Sequence, residues 1–241
     1  MSYDNAGWVT WYDKLYASKD YAGECDALLR ILRERQANTS SLLDAACGTG
    51  RHIAHLRPHF TQVAGFDVCD EQLVHARQAN PGVSFWQADM ASFQLGRTFS
   101  VITCLFSAIG HLTTLRLYRN ALACFCRHLE PGGWLVVEPW LQPAMWKPAT
   151  THMQTVQEPE LKIARLSTSQ EPVLRDGVPL SIFDMHYLIA TPQGVQYIVD
   201  RLELALYTRE EQLRWFEEEG FDAEWLSPGL TGRGLLVGHK R

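Results

Sequence analysis

Three carboxylates and a glycine turn carry the clearest chemistry in this chain. Leu42-Leu43-Asp44-Ala45-Ala46-Cys47-Gly48-Thr49-Gly50 runs from an apolar strand into an acid and then into a tight turn. Gly48 and Gly50 let backbone approach a ligand with no Cβ in the way. The helix start near Arg51 offers unpaired N–H groups and a positive dipole end to an anion. Asp44 stands where its carboxylate could face a ligand cation. Val63-Ala64-Gly65-Phe66-Asp67 reads as a second strand ending in an acid. It follows the glycines by roughly 20 residues, the spacing at which ribose hydroxyls are gripped in nucleotide-binding sheets. A third apolar run, 83–90, also ends in an acid, Asp89. A dinucleotide fingerprint needs one more glycine where Ile53 stands, which disfavours a dinucleotide oxidoreductase.

These residues need a sheet to hold them. A fourth strand at 99–106 and a fifth at 134–138, after the turn 129–133, complete a strand–helix alternation with acids at strand ends. That is the pattern of an open α/β sheet, whose ligand crevice lies at the carboxyl ends of the strands. Helices are expected at 20–36, where Cys25, Leu28, Leu29 and Leu32 share a face, and at 50–58, 70–79 and 113–129. Asp70 is the expected N-cap of the third. Beyond Pro143 the periodicity changes. Residues 145–159 read as irregular, and 161–169, 180–190 and 195–206 read as strands, with Thr191-Pro192-Gln193-Gly194 as a turn. This predicts an antiparallel insertion that covers the crevice and could also make a homodimer surface. A helix at 208–219 opens on a capping box, Thr208 with Glu211, and 221–226 with 235–239 form a closing hairpin.

The ordered motifs resemble those of class I S-adenosylmethionine-dependent methyltransferases over residues 40–140. Asp44 to Gly50 is similar to their first motif, Asp67 to their ribose acid, Asp89-Met90 to their adenine contact, and Leu129 to Gly133 to the turn before the fifth strand. One departure is Ala46, where the family pattern has glycine; alanine fits there if its φ is negative. Phe106-Ser107-Ala108-Ile109-Gly110-His111-Leu112, Val137-Glu138-Pro139-Trp140, Met185-His186-Tyr187-Leu188, Leu206 to Gln212 and Gly232-Arg233-Gly234-Leu235 resemble the N,N-dimethyltransferases of nucleotide-linked amino sugars. The resemblance implies a Rossmann-like, mostly parallel seven-stranded sheet with an antiparallel C-terminal hairpin and a small antiparallel β insertion. It implies an aromatic lid at 1–36, a cofactor-binding core at 37–142 and 207–241, and a crevice-covering insertion at 143–206. It implies S-adenosyl-L-methionine as cofactor, held by Tyr12, Tyr21, Asp44, Ala46, Gly48, Gly50, Arg51, Asp67, Val68, Asp89, Met90 and Leu105. Tyr3, Ser107, His111, Trp140, Tyr187 and Arg233 would face the acceptor.

Methyl transfer from a sulfonium is an in-line displacement with a neutral leaving group, so much of the rate comes from alignment. An amine acceptor must first lose a proton, which His111 or Glu138 could take; His111 could equally do no more than position it. An O-methyltransferase, another enzyme on the same cofactor, and a non-catalytic protein of this fold are the alternatives. Composition bounds the rest. The chain has 241 residues, 46% of them hydrophobic, and a net charge of −5. No Lys/Arg cluster suits nucleic acid, and no apolar run suits a bilayer. Six scattered cysteines fit a reduced, cytoplasmic chain. His52, His55 and His59 roughly share a helix face without a fourth ligand, so no metal is expected.

Overall fold

The computed structural model describes residues 8–241. Five strands, β1 (Ser41–Ala45), β2 (Gln62–Asp67), β3 (Ser84–Gln87), β4 (Phe99–Cys104) and β5 (Leu129–Val137), run parallel. The strands between residues 151 and 205 form a separate sheet, while β11 (Phe221–Leu226) and β12 (Leu235–Lys240) close the first, giving the order β11-β12-β5-β4-β1-β2-β3. Only β12 runs antiparallel to its neighbours β5 and β11. The chain leaves β1 toward β2 and β3 and returns on its other side as β4. That reversal places the ligand crevice at the carboxyl ends of β1 and β4. Both strands are buried along their whole length, which is why their apolar residues do not alternate with exposed polar ones.

Helices cover both faces. α1 (Trp8–Leu15) is followed by α2 (Tyr21–Glu34), whose Cys25, Leu28 and Leu32 meet Leu42, Val101 and Val136 on one face of the sheet. Asp20 caps α2 by accepting the Gly23 N–H at 2.9 Å. α3 (Arg51–Leu56) ends in a short 3-10 turn, and α4 (Asp70–Ala79) spans the expected residues but is capped one residue earlier than expected. Cys69, in extended backbone, is its N-cap. Asp70 is the first helical residue, near the positive dipole end and 3.4 Å from Arg77. On the opposite face α5 (Leu115–His128) buries Tyr118, Leu122 and Phe125 against Ile102 and Leu135. α6 (Arg209–Glu218) carries the expected capping box of Thr208 and Glu211.

The second sheet has the order β6-β7-β9-β10, with β8 (Val173–Arg175) beside β9 (Val178–Thr191). β7 (Leu161–Ser169) and β10 (Gly194–Ala205) match the expected strands. β6 (Thr151–Glu158) does not: the segment read as irregular is an eight-residue strand. Its inward face is largely polar, so it lacks apolar alternation. Gln154 donates to the Leu15 carbonyl and Glu158 pairs with Lys14 at 2.7 Å, fastening β6 to α1. The inward face elsewhere packs Ile163, Met185, Tyr187 and Ile189 against Leu15. Among the described residues no helix is long and apolar enough to cross a membrane.

Candidate functional site

The turn after β1 is held from outside as well as by its glycines. The Cys47 N–H donates to the Phe66 carbonyl at 2.9 Å and the Gly48 N–H to Asp67 Oδ2 at 2.8 Å. Gly50 has φ +75°, and a Cβ there would lie 2.7 Å from Asn80 Nδ2, the group that donates to the Gly50 carbonyl. Ala46 corrects an expectation: its φ is +55°, not negative. An alanine stands in left-handed backbone that suits glycine, at a cost of about 1–2 kcal/mol.

The turn lines a cavity at the carboxyl ends of β1, β2 and β4. Of the expected cofactor residues, Tyr12, Tyr21, Asp44, Ala46, Gly48, Arg51, Asp67, Val68, Met90 and Leu105 all border it, as does His111. Gly50, the buried N-cap of α3, does not border it. Asp89 lines an adjoining cavity that shares Ala46, Val68, Met90 and His111. Its Oδ1 also accepts the Ala91 N–H at 2.8 Å, so the capping and lining readings hold together.

The charges in this cavity suit a cationic nucleoside. Asp44 is 1% exposed and accepts from Thr103 Oγ1 at 2.7 Å. Burial pushes its carboxyl up to about 6, against the pull of His52 and Thr103. A buried acid so poorly compensated is stabilised by an arriving cation. Burial also raises Asp67, opposed by the N–H groups of Cys69 and Gly48. Those bonds orient its carboxylate while leaving acceptor capacity for hydroxyls. Val68, 52% exposed, offers an apolar surface beside it. Two acids, a glycine turn and facing aromatic rings fit S-adenosylmethionine.

Beside the cavity lies a network that sequence reading missed. Lys19 and His52 both meet Glu24 Oε2, the His52 Nε2 at 2.9 Å. Burial alone would raise the Glu24 carboxyl, but the bonds from His52 and Lys19 hold it below the usual range. Lys19 Nζ lies 4.4 Å from the Tyr21 ring centroid and 4.6 Å from that of Phe106. Thr49 donates to Asp13 Oδ1 at 2.7 Å, clasping α1 to the glycine turn. His55 and His59 are exposed, and no metal-binding group of His, Cys, Asp or Glu occurs among the described residues.

The loop after β4 gathers the expected acceptor residues. Phe106 and Ser107 have φ +52° and +60°. Glu138, fully buried, accepts the Phe106 N–H at 2.7 Å on one oxygen and the Thr231 hydroxyl on the other. Ser107 Oγ donates to the Pro139 carbonyl at 2.8 Å and accepts from Arg233 Nη1 at 3.0 Å. The Arg233 guanidinium lies 4.9 Å from the Trp140 ring centroid. Ser107, Trp140 and Arg233, far apart in sequence, thus form one cluster, and His111 follows in the same loop. Burial depresses the His111 imidazole to about 4.

Not every expected residue joins these two groups. Tyr3 lies outside the described residues. Tyr187 is fully buried among the α1 aromatics, and His186 is on the opposite face, bonded to Tyr197 at 2.6 Å. Glu138 does not border the cavity; its carboxylate holds the loop. Thr49, His52, Gln72 and Phe106 border the cavity without having been anticipated.

The chain is similar to known methyltransferases in sequence and in fold. The methyltransferase domain family matches residues 42–133. The dTDP-3-amino-3,4,6-trideoxy-alpha-D-glucopyranose N,N-dimethyltransferase of Streptomyces venezuelae is 37% identical over 94% of this chain and 95% of its own. The solved structure of Streptomyces venezuelae DesVI superposes with a TM-score of 0.89 at 34% identity, covering 98% of this chain and 100% of that one. CalS10, an S-adenosylmethionine-bound amino pentose methyltransferase from Micromonospora echinaspora involved in calicheamicin biosynthesis, gives 0.85 at 30% identity, with 98% of each chain covered.

Proposed function

The chain belongs to the S-adenosylmethionine-dependent methyltransferases, and we propose that the amine it methylates is that of a nucleotide-linked amino sugar. It is an N-methyltransferase of small molecules; the finer assignment rests on the Ser107–Trp140–Arg233 cluster. Arg233 has no carboxylate partner among the described residues, only a hydroxyl and an aromatic face. A cation so placed, in the turn that contacts the His111 loop, suits an acceptor that carries an anion as well as an amine.

The cofactor supplies an electrophilic methyl group on a sulfonium. Asp44, Asp67, Gly48 and Arg51 would hold it, with Val68, Asp89, Met90 and Leu105 along the adenosine and Tyr12 and Tyr21 covering it. Aromatic faces favour the cation. His111 positions the acceptor. Burial depresses its imidazole to about 4, so the ring stays neutral and is a weak acceptor for a proton from an ammonium. A neutral ring that accepts an amine N–H orients the lone pair at far less cost, and the amine loses its proton to solvent first. Glu138 shapes the same loop through Phe106. The 143–206 segment covers the acceptor.

The outward face of the second sheet exposes Met153, Leu166, Leu188, Tyr197 and Val199, which lie side by side across four strands. A contiguous apolar face of this kind suits pairing with a second copy; Leu188→Lys would give a monomer by sedimentation where the parent chain is a dimer. Six free cysteines suit a cytoplasmic site of action.

The test is turnover with methyl-labelled S-adenosylmethionine and a thymidine-diphosphate amino sugar, read by mass. Addition of one or two labelled methyls on nitrogen supports the reading. Turnover only with hydroxyl or carboxyl acceptors sinks it. In the same assay His111→Asn lowers kcat/KM by about tenfold and leaves the pH profile unmoved, as a positioning residue requires. Loss of the acidic limb in that variant would instead make His111 the base.

A further inference from the structure

Arg165 is the one arginine of the second sheet with no carboxylate partner among the described residues. Arg175 pairs with Glu203 at 2.7 Å, and Arg201 lies between Glu203 at 3.3 Å and Asp184 at 3.5 Å. Arg165 faces inward, in register with Gln154 on one side and Tyr187 on the other. Its Nη1 donates to the Tyr16 hydroxyl at 3.1 Å, and it shares a hydrogen bond with Tyr187. Its guanidinium lies 5.7 Å from the Tyr16 ring centroid. The acid nearest on this face by register, Asp200, stands opposite Met185 and makes no ion pair with it. Two phenols orient a guanidinium but do not neutralise it. A half-buried cation left in that state is stabilised by an anion that arrives with a ligand.

Its place fits such a ligand. The Tyr16 ring packs edge-on against Phe106 at 5.1 Å, and Phe106 borders the cofactor cavity. Arg165 therefore stands two aromatic rings from the methyl-transfer site. In a nucleotide-linked amino sugar the diphosphate is separated from the amine by the sugar ring. We infer that Arg165 is a second anion-binding residue of the acceptor site and, with Arg233, takes the diphosphate of a nucleotide-linked substrate. This inference rests on the amino-sugar reading above. The planar fork of arginine matches phosphate oxygens in pairs, and Tyr16 and Tyr187 hold that fork in place.

The experiment is titration calorimetry of the whole chain with thymidine diphosphate and, separately, S-adenosylhomocysteine. Arg165→Gln should weaken thymidine diphosphate by about 10- to 100-fold, the size of a lost charge-assisted bond, and leave S-adenosylhomocysteine within twofold. Arg165→Lys, which keeps the charge but not the fork, should fall between; it serves also if the glutamine variant does not fold. Tyr16→Phe, which keeps the guanidinium, should change thymidine diphosphate by less than threefold. Unchanged thymidine diphosphate binding in both Arg165 variants overturns this inference alone. Equal weakening of both ligands in Arg165→Gln and Tyr16→Phe also overturns it, because Arg165 would then act only by holding α1. Wild-type chain that binds S-adenosylhomocysteine but no thymidine diphosphate overturns both this inference and the amino-sugar reading.

Discussion

Two loops at the carboxyl ends of neighbouring strands, one after β1 and one after β4, both use left-handed backbone, and they reach it by different means. The β1 turn draws on residue type. Gly48 and Gly50 accept φ of +56° and +75° without steric cost. The β4 loop has no glycine at Phe106 or Ser107 and is held from outside. A buried carboxylate from β5's end takes the Phe106 N–H, while Ser107 is fixed by the Pro139 carbonyl and by Arg233. Two such residues cost about 2–4 kcal/mol, and one bond to a charged acceptor returns about 1.5–3. Conformation written into residue types is local. Conformation imposed by neighbours depends on three distant segments arriving together. Ala46 is the intermediate case, an imposed conformation inside a loop that otherwise has its glycines.

Removing the external hold should have the largest effect. Glu138→Ala leaves the Phe106 N–H without its partner and should lower stability by about 3 kcal/mol in urea unfolding. It should cut kcat/KM by more than about 100-fold, since the loop carries Ser107 and His111. Glu138→Gln can still accept from Phe106 and bond Thr231, so it should keep most activity. Equal loss in both variants would make Glu138 a proton acceptor and end the contrast. Next comes Gly50→Ala, which places a Cβ in left-handed backbone 2.7 Å from Asn80 Nδ2; about 2 kcal/mol of destabilisation is expected.

Acid should act on the head of the β1 turn. Burial raises the Asp44 carboxyl to about 6, so below that pH it is neutral and an arriving cation loses its partner. Calorimetry should show S-adenosylmethionine weakening about tenfold per unit below pH 6, a slope that Asp44→Asn removes. The ligand-free protein behaves oppositely. A carboxyl raised in the folded state favours folding when protonated, so its contribution is full below about pH 4 and gone above about 6. The smallest effect is Ala46→Gly. It relieves the left-handed strain and loosens the unfolded chain, for a net gain of about 1 kcal/mol or less, read as a raised Tm. A loss would mean that the Ala46 methyl packs usefully.

The same contrast governs what could be read in advance. Asp44, Gly48, Asp67 and Asp89 were legible because an acid at a strand end and a glycine in a turn declare themselves within a few residues. The open α/β sheet was legible from the alternation of apolar strands and helices, and its seven strands were implied by the resemblance that the ordered motifs carry. Arg165, Glu24, Lys19 and Asp13 were not legible, because each matters through a partner from another element: Tyr16, His52, Phe106 or Thr49. β6 was missed for a related reason, since its polar inward residues Gln154 and Glu158 bind α1. The sign of φ at Ala46 was not legible either, because alanine leaves backbone handedness to its surroundings. Ser107, Trp140 and Arg233 could be named singly, but not as one cluster.

The thiols give the molecule an internal label. Five of six cysteines are buried, and Cys126 alone is partly exposed. Cys47 sits in the wall of the cofactor cavity at 8% exposure, its thiol pushed up by burial and kept unreactive. An alkylating reagent should therefore modify Cys126 quickly and reach Cys47 only when the glycine turn opens. The rate at Cys47 becomes a clock for that opening, and S-adenosylhomocysteine should slow it in proportion to its occupancy of the cavity.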